Sequence, residues 1–142
     1  MLTLRQGYQM SNMKTKDDAT AAIENLIDAF SRHDKEAYFS CFADDATFLF
    51  HNQDRLLIGK AEYEVEWSKW EEEDQFRVLD CKSTKQNLQM IGDVAIFTNW
   101  VTTKIRTGLG NNNSNERETS VMKLKQDGRW LAVHEHLSFA SL

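Results

Sequence analysis

Changes of hydrophobic period along this chain of 142 residues predict an α+β domain. Apolar residues recur at helical spacing through the first half, strand-like alternation takes over from Phe76, and turn signals separate the later segments. Helices that come first and antiparallel strands that follow lay the helices on one face of a sheet. Long antiparallel strands twist and curl, so the expectation is a curved, cone-shaped sheet with the helices on its concave face. Such an arrangement can leave a cavity between the layers.

Residues 1–14 read as a flexible arm and 15–142 as one domain, long enough to bury a core. In "TKDDATAAIENLIDAFSRHD", Ala19, Ala22, Ile23, Leu26, Ile27 and Phe30 fall on one helical face, and Thr15 with Asp18 resembles a capping box. "DKEAYFSCF" predicts a short second helix with Tyr38, Phe39 and Phe42 as apolar contacts. Asp44 and Asp45 mark a turn before a buried strand over 46–50. "IGKAEYEVEWSKWEEED" returns to helical spacing, with Tyr63, Trp67 and Trp70 on one side. Strands follow at about 76–90, 94–107, 117–126 and 129–139. Their separators are Gly92-Asp93, the polar stretch "GLGNNNSNE" read as a mobile hairpin loop, and the Asp127-Gly128 hairpin signal.

Composition excludes several classes. Seventeen basic against 22 acidic residues, dispersed along the chain, give no clustered basic surface for nucleic acid. No apolar run reaches membrane length or forms a signal peptide. Cys41 and Cys81 are distant, without CxxC spacing, which suits a reducing compartment. A cytoplasmic protein is expected. "GLG" precedes asparagines rather than a helix start, so no phosphate loop is indicated.

The chemistry concentrates in "WLAVHEHLSF", residues 130–139. Along a regular strand Leu131, Val133, Glu135, Leu137 and Phe139 share one face, and Ala132, His134, His136 and Ser138 the other. Glu135 therefore stands alone on the apolar face. It is either a cavity acid, its pKa raised by burial, or a structural glutamate bonded to Lys104, Arg106, Arg117 or a helix terminus. His134 and His136, about 6.5–7 Å apart at Cα, could close on one ion, but a zinc site needs three or four ligands and no third is signalled. No metal and no cofactor is expected. Phe48, Phe50, Tyr63, Trp67, Trp100, Met122, Val133 and Leu137 are the candidate cavity lining, although large apolar side chains also make plain core.

The order of elements, with "FADDATFLF", "GKAEYEVEWSKW" and the closing "DGRWLAVHEHLS", resembles the nuclear transport factor 2-like superfamily with its cystatin-like fold, and within it the SnoaL-like branch. The closing stretch is also similar to the end of the calmodulin-dependent kinase II association (hub) domain. The resemblance spans roughly residues 16–140. It implies a cone-shaped α+β barrel with a pocket, and homodimers formed through the outer sheet face, which would occupy His134 and His136. In similar ketosteroid isomerases a catalytic aspartate follows the "ADDAT" segment; ungapped counting puts Phe50 there, and Phe50 cannot move a proton. His51, one residue on, could assist if the strand carries a bulge. Those enzymes' second acid would fall between 117 and 120, where only Glu118 is acidic. The arginines of hub pockets correspond here to Leu137 and Trp100.

The function expected is binding of a small apolar or amphipathic molecule. One alternative is an isomerase, cyclase or hydrolase using Glu135 as general acid or base, and another is an assembly module.

Overall fold

The computed structural model describes residues 4–141, and its elements follow the predicted order. Helix α1 (Leu4–Ser31) and short α2 (Lys35–Phe39) lead into β1 (Phe42–Phe50) and β2 (Leu57–Ile58). Helix α3 (Lys60–Asp74) precedes the long strands β3 (Arg77–Ile91), β4 (Val94–Thr107), β5 (Gly110–Leu124) and β6 (Trp130–Phe139). All six strands form one curved, unclosed sheet in the order β2-β1-β6-β5-β4-β3.

The sheet is mixed rather than wholly antiparallel. β1 lies parallel to β6, with Phe48 opposite Glu135 and Phe50 opposite Leu137. A parallel neighbour needs a long crossover, here everything between β1 and β6. This pairing brings Phe48 and Phe50 beside the C-terminal strand.

Three boundaries differ from the sequence reading, each for a local reason. The chain from Leu4 onward is helical, so Thr15 is not a cap; its hydroxyl bonds back to the Ser11 carbonyl at 2.9 Å. Residues 1–3 of the anticipated arm lie outside the described residues. The stretch "NNNSN" is not a loop tip but paired strand. Asn111, Asn112 and Asn113 register with Arg106, Ile105 and Lys104, and the turn shrinks to Gly108-Leu109. Third, β6 carries a bulge: Met122 pairs with Ala132 but Val121 pairs with His134, leaving Val133 as the extra residue.

The core sits between the helices and the concave face. From α1 come Ala19, Ile23, Leu26 and Ala29, which meet Tyr38, Phe39, Phe42, Phe48 and Trp67 in one cluster. Trp67 is fully buried, and its ring packs on those of Phe30, Tyr38, Phe39 and Phe76 at centroid distances between 5.1 and 6.0 Å. Burying a large apolar side chain of this kind contributes about 1.5–3 kcal/mol.

His33 locks the two halves together. It ends α1 with a left-handed φ of 54°. Its Nδ1 accepts the Val78 backbone N–H at 3.0 Å, so its Nε2–H donates to Glu71 of α3 at 2.9 Å. One side chain thus ties α1, α3 and β3, the frame that holds the cavity open.

Candidate functional site

A cavity of about 550 Å³ lies between the helices and the concave sheet face. Its apolar wall comes from Leu26, Ile27 and Phe30 of α1, Tyr63, Trp67 and Trp70 of α3, and Phe50 of β1. The opposite wall is the inner face of the sheet. Alternation along β4 turns Asn99, Val101, Thr103 and Ile105 inward, and along β5 it turns Glu116 and Glu118 the same way. Asn52, Asp74, Leu109, Asn111 and Asn112, all exposed, rim its open end.

Glu135 reaches this wall because of the bulge. In an unbroken β6, Glu135 would share a face with Leu131 and Val133. The extra residue reverses the phase, so Trp130 and Ala132 point to the core before Val133, and Glu135 and Leu137 point inward after it. Val133 itself lines nothing in the cavity, contrary to the regular-strand reading.

The electrostatics centre on Glu135 and Glu118. Glu135 is 1% exposed, and its Oε1 has no hydrogen-bond partner. Lys104, Arg106 and Arg117 do not satisfy it: they occupy the alternate positions of β4 and β5 and face away from Asn99, Val101 and Glu118. Burial pushes its carboxyl well above the usual range, and the neighbouring Glu118 and Glu116 push the same way. Burial raises Glu118 too, opposed in part by the hydrogen bond it accepts from Asn99. Glu118 and Glu135 are electrostatically coupled, and burial disfavours the charged form of both.

A chain of donors leads to Glu118. Gln86 Nε2 donates to Ser83 Oγ at 3.0 Å, Ser83 Oγ to Asn99 Oδ1 at 2.7 Å, and Asn99 Nδ2 to Glu118 Oε1 at 3.3 Å. Every member points its hydrogen toward Glu118, an arrangement that favours negative charge on it. Tyr38 and Tyr63 add a hydroxyl pair at 3.0 Å on the helix side. Burial, with Glu135 close to Tyr63, keeps both phenols protonated. Two protons serve one mutual bond, so one O–H remains to donate elsewhere. Trp67 contributes a buried Nε1–H with no partner. Burial also raises the Cys81 thiol, to about 12.

Of the anticipated lining, Phe50, Tyr63, Trp67 and Leu137 stand on the cavity wall with Glu135. Phe48 and Met122 are fully buried core and do not line it. Trp100 is on the outer sheet face, 38% exposed, with Lys85 Nζ 5.0 Å from its ring centroid. Its neighbours Asn99 and Val101 take the inward positions, and alternation leaves Trp100 no other side. His51 lies in the turn after β1, paired with Glu116 and with its ring 3.7 Å from that of Phe139. It reaches the cavity only through Glu116. His134 and His136 are on the outer face, where His134 Nδ1 meets Thr47 Oγ1 at 2.8 Å. Among the described residues, no group of three or more His, Cys, Asp or Glu is placed to hold a metal. No helix among them is long and apolar enough to cross a membrane.

Glu116 and the donor chain through Ser83 were not anticipated. The signal was available in "NERETSVM", where Glu116, Glu118, Ser120 and Met122 alternate on one face. Three polar residues in phase with a buried methionine mark a wall that faces a cavity rather than solid core. Chemically, the site offers two neighbouring acidic side chains, Glu118 and Glu135, and two further donors beside a large aromatic surface.

Known proteins place this architecture. The structure is similar to a nuclear transport factor 2 (NTF2-like) superfamily protein from Salmonella enterica, with a TM-score of 0.79 and 14% identity over 92% of this chain and 94% of that one. It is also similar to a ketosteroid isomerase-like protein from Erwinia carotovora (TM-score 0.71, 18% identity, 89% and 96% covered). An assigned calcium/calmodulin-dependent protein kinase II association domain from Xanthomonas campestris has a TM-score of 0.70 and 15% identity, with 85% and 84% covered. At such identities the likeness establishes the fold, which hosts diverse activities. Comparison with curated proteins gave no match. Residues 19–141, from the buried face of α1 through the last strand, match the family model described as a SnoaL-like domain. With that match and this sheet order, the chain belongs to the SnoaL-like domain family.

Proposed function

We propose that the protein binds a small, amphipathic organic molecule in the cavity between its helices and sheet. The observation that carries this reading is the cavity itself: about 550 Å³, with an aromatic wall facing a polar one. Ligand sites of roughly 300–1,000 Å³ combine apolar walls with a few convergent polar groups in this way. Trp67 and Trp70 do not fill the space but bound it.

A homodimer through the outer sheet face belongs to the same proposal. On that face Leu49 is exposed beside His136, and Trp100 is exposed on β4, surfaces that a second copy would cover. The free thiols of Cys41 and Cys81 support a cytoplasmic setting.

Tryptophan fluorescence tests the binding reading, because Trp67 and Trp70 line the cavity. Titration with 2-phenylethanol should shift their emission saturably, and Val101→Phe, which fills the inner wall, should abolish the shift. A linear response, the same in both proteins, would show solvent quenching and no site.

A further inference from the structure

We propose that the ligand is an organic monocation: an aromatic or alkyl molecule bearing one ammonium group, with the Glu118–Glu135 carboxyl pair as its counter-ion and the aromatic wall as its seat. This rests on the binding reading above and names the chemistry of what is bound.

The argument starts from charge. Glu116, Glu118, Glu135 and Asp74 line the cavity, and among the described residues no lysine or arginine does. His51 partners Glu116, and Asp74 stands at the exposed rim. The deep pair, Glu118 and Glu135, has Asn99 as its direct polar support, its Nδ2 donating to Glu118 Oε1 at 3.3 Å. Among the described residues, no cationic side chain makes an ion pair with either member. A buried charge without a partner is costly unless something supplies the opposite sign.

Two unsatisfied atoms mark where a ligand belongs. Glu135, 1% exposed, leaves Oε1 without a donor, and fully buried Trp67 leaves Nε1–H without an acceptor. Both residues line the cavity. Native proteins rarely leave such groups unpaired when nothing is to bind them. An ammonium donates to the carboxyl pair, and an ether, hydroxyl or carbonyl on the same molecule can accept from Trp67.

The wall opposite is suited to the cation as well. Phe30, Tyr63, Trp67 and Trp70 present ring surface to the cavity, and ring faces attract cations, tryptophan most strongly. An anion would be repelled by the four acidic side chains of this lining. A neutral molecule would fill the space and leave the charge uncompensated.

Calorimetry at neutral pH with three probes of one shape decides the matter: 2-phenylethylammonium, 2-phenylethanol and phenylacetate. The ammonium should bind at least about tenfold more tightly than the alcohol, and phenylacetate more weakly than either. Glu135→Gln alone leaves the Glu118 carboxyl in place and should keep most of that preference. The double variant E118Q/E135Q should reduce it to within about threefold of parity. If the double variant does not fold, the three-probe comparison on the wild-type protein decides alone. Equal or tighter binding of the alcohol or of phenylacetate overturns the monocation inference while leaving the cavity a binding site. A preference that survives the folded double variant also overturns it. Failure of all three probes to bind overturns both readings together.

Discussion

Replacing Glu135 with glutamine should make the protein more stable at neutral and alkaline pH, although it removes a buried ionisable group from the centre of the fold. Glu135 has its folded-state pKa raised well above 4.5 by burial and by Glu118 and Glu116. The sign follows from proton binding. Above pH 4.5 the unfolded chain releases this proton while the folded chain keeps it, so the stabilisation is complete below the unfolded pKa. It is lost as pH rises toward the folded pKa. The loss is about 1.4 kcal/mol for each pH unit in that window. Glutamine mimics the protonated form and does not titrate. Urea unfolding of both proteins at pH 5, 6, 7 and 8 should give nearly equal stabilities at pH 5. A gap favouring E135Q should then open by up to about 1.4 kcal/mol per pH unit. Parallel stability curves would refute the reasoning, because they would mean that Glu135 titrates alike in the folded and unfolded chain. Groups such as His134, lowered by burial and by His136, add their own slope, but equally in both proteins, and cancel in the difference.

Three further outcomes can be checked with the same purified material. Trp67→Ala should cost about 3–5 kcal/mol in urea unfolding, since Trp67 is fully buried at the meeting of α1, α2 and α3. His33→Ala should cost about 1–3 kcal/mol by orphaning the buried Val78 N–H; an unchanged midpoint would show that the clasp contributes nothing. Cys81, with its thiol raised to about 12, should react with a disulfide reagent at pH 8 far more slowly in the folded protein than in urea, and equal rates would contradict its burial.

Much of the fold was legible in the sequence because its signals were long and periodic. The α1 face from Ala19 to Phe30 and the alternation of β4 each repeat often enough to fix type and orientation. What failed was phase and extent. A single extra residue, Val133, reverses the side chains of β6, and nothing in "WLAVHEHLSF" marks a bulge of one residue. The asparagine run has the composition of a turn, yet ladder pairing with Asn111 to Asn113 overrides that propensity. Glu135 came out on the cavity side for a reason other than the one that predicted it. Regular alternation would have carried Leu131 and Val133 inward with it, whereas the bulge carries Trp130 and Ala132. Its partner Glu118 was visible only as a polar residue in phase with Met122. Their juxtaposition depends on cross-strand register, which a single strand's sequence does not contain.

Native mass spectrometry, run on freshly purified protein and again with added 2-phenylethylammonium, bears most directly on whether the cavity is a binding site. The account predicts a dimer that carries extra mass, either a retained small molecule or the added probe, and loses it on denaturation. Bare polypeptide mass in both spectra, from protein that is demonstrably folded, would contradict it.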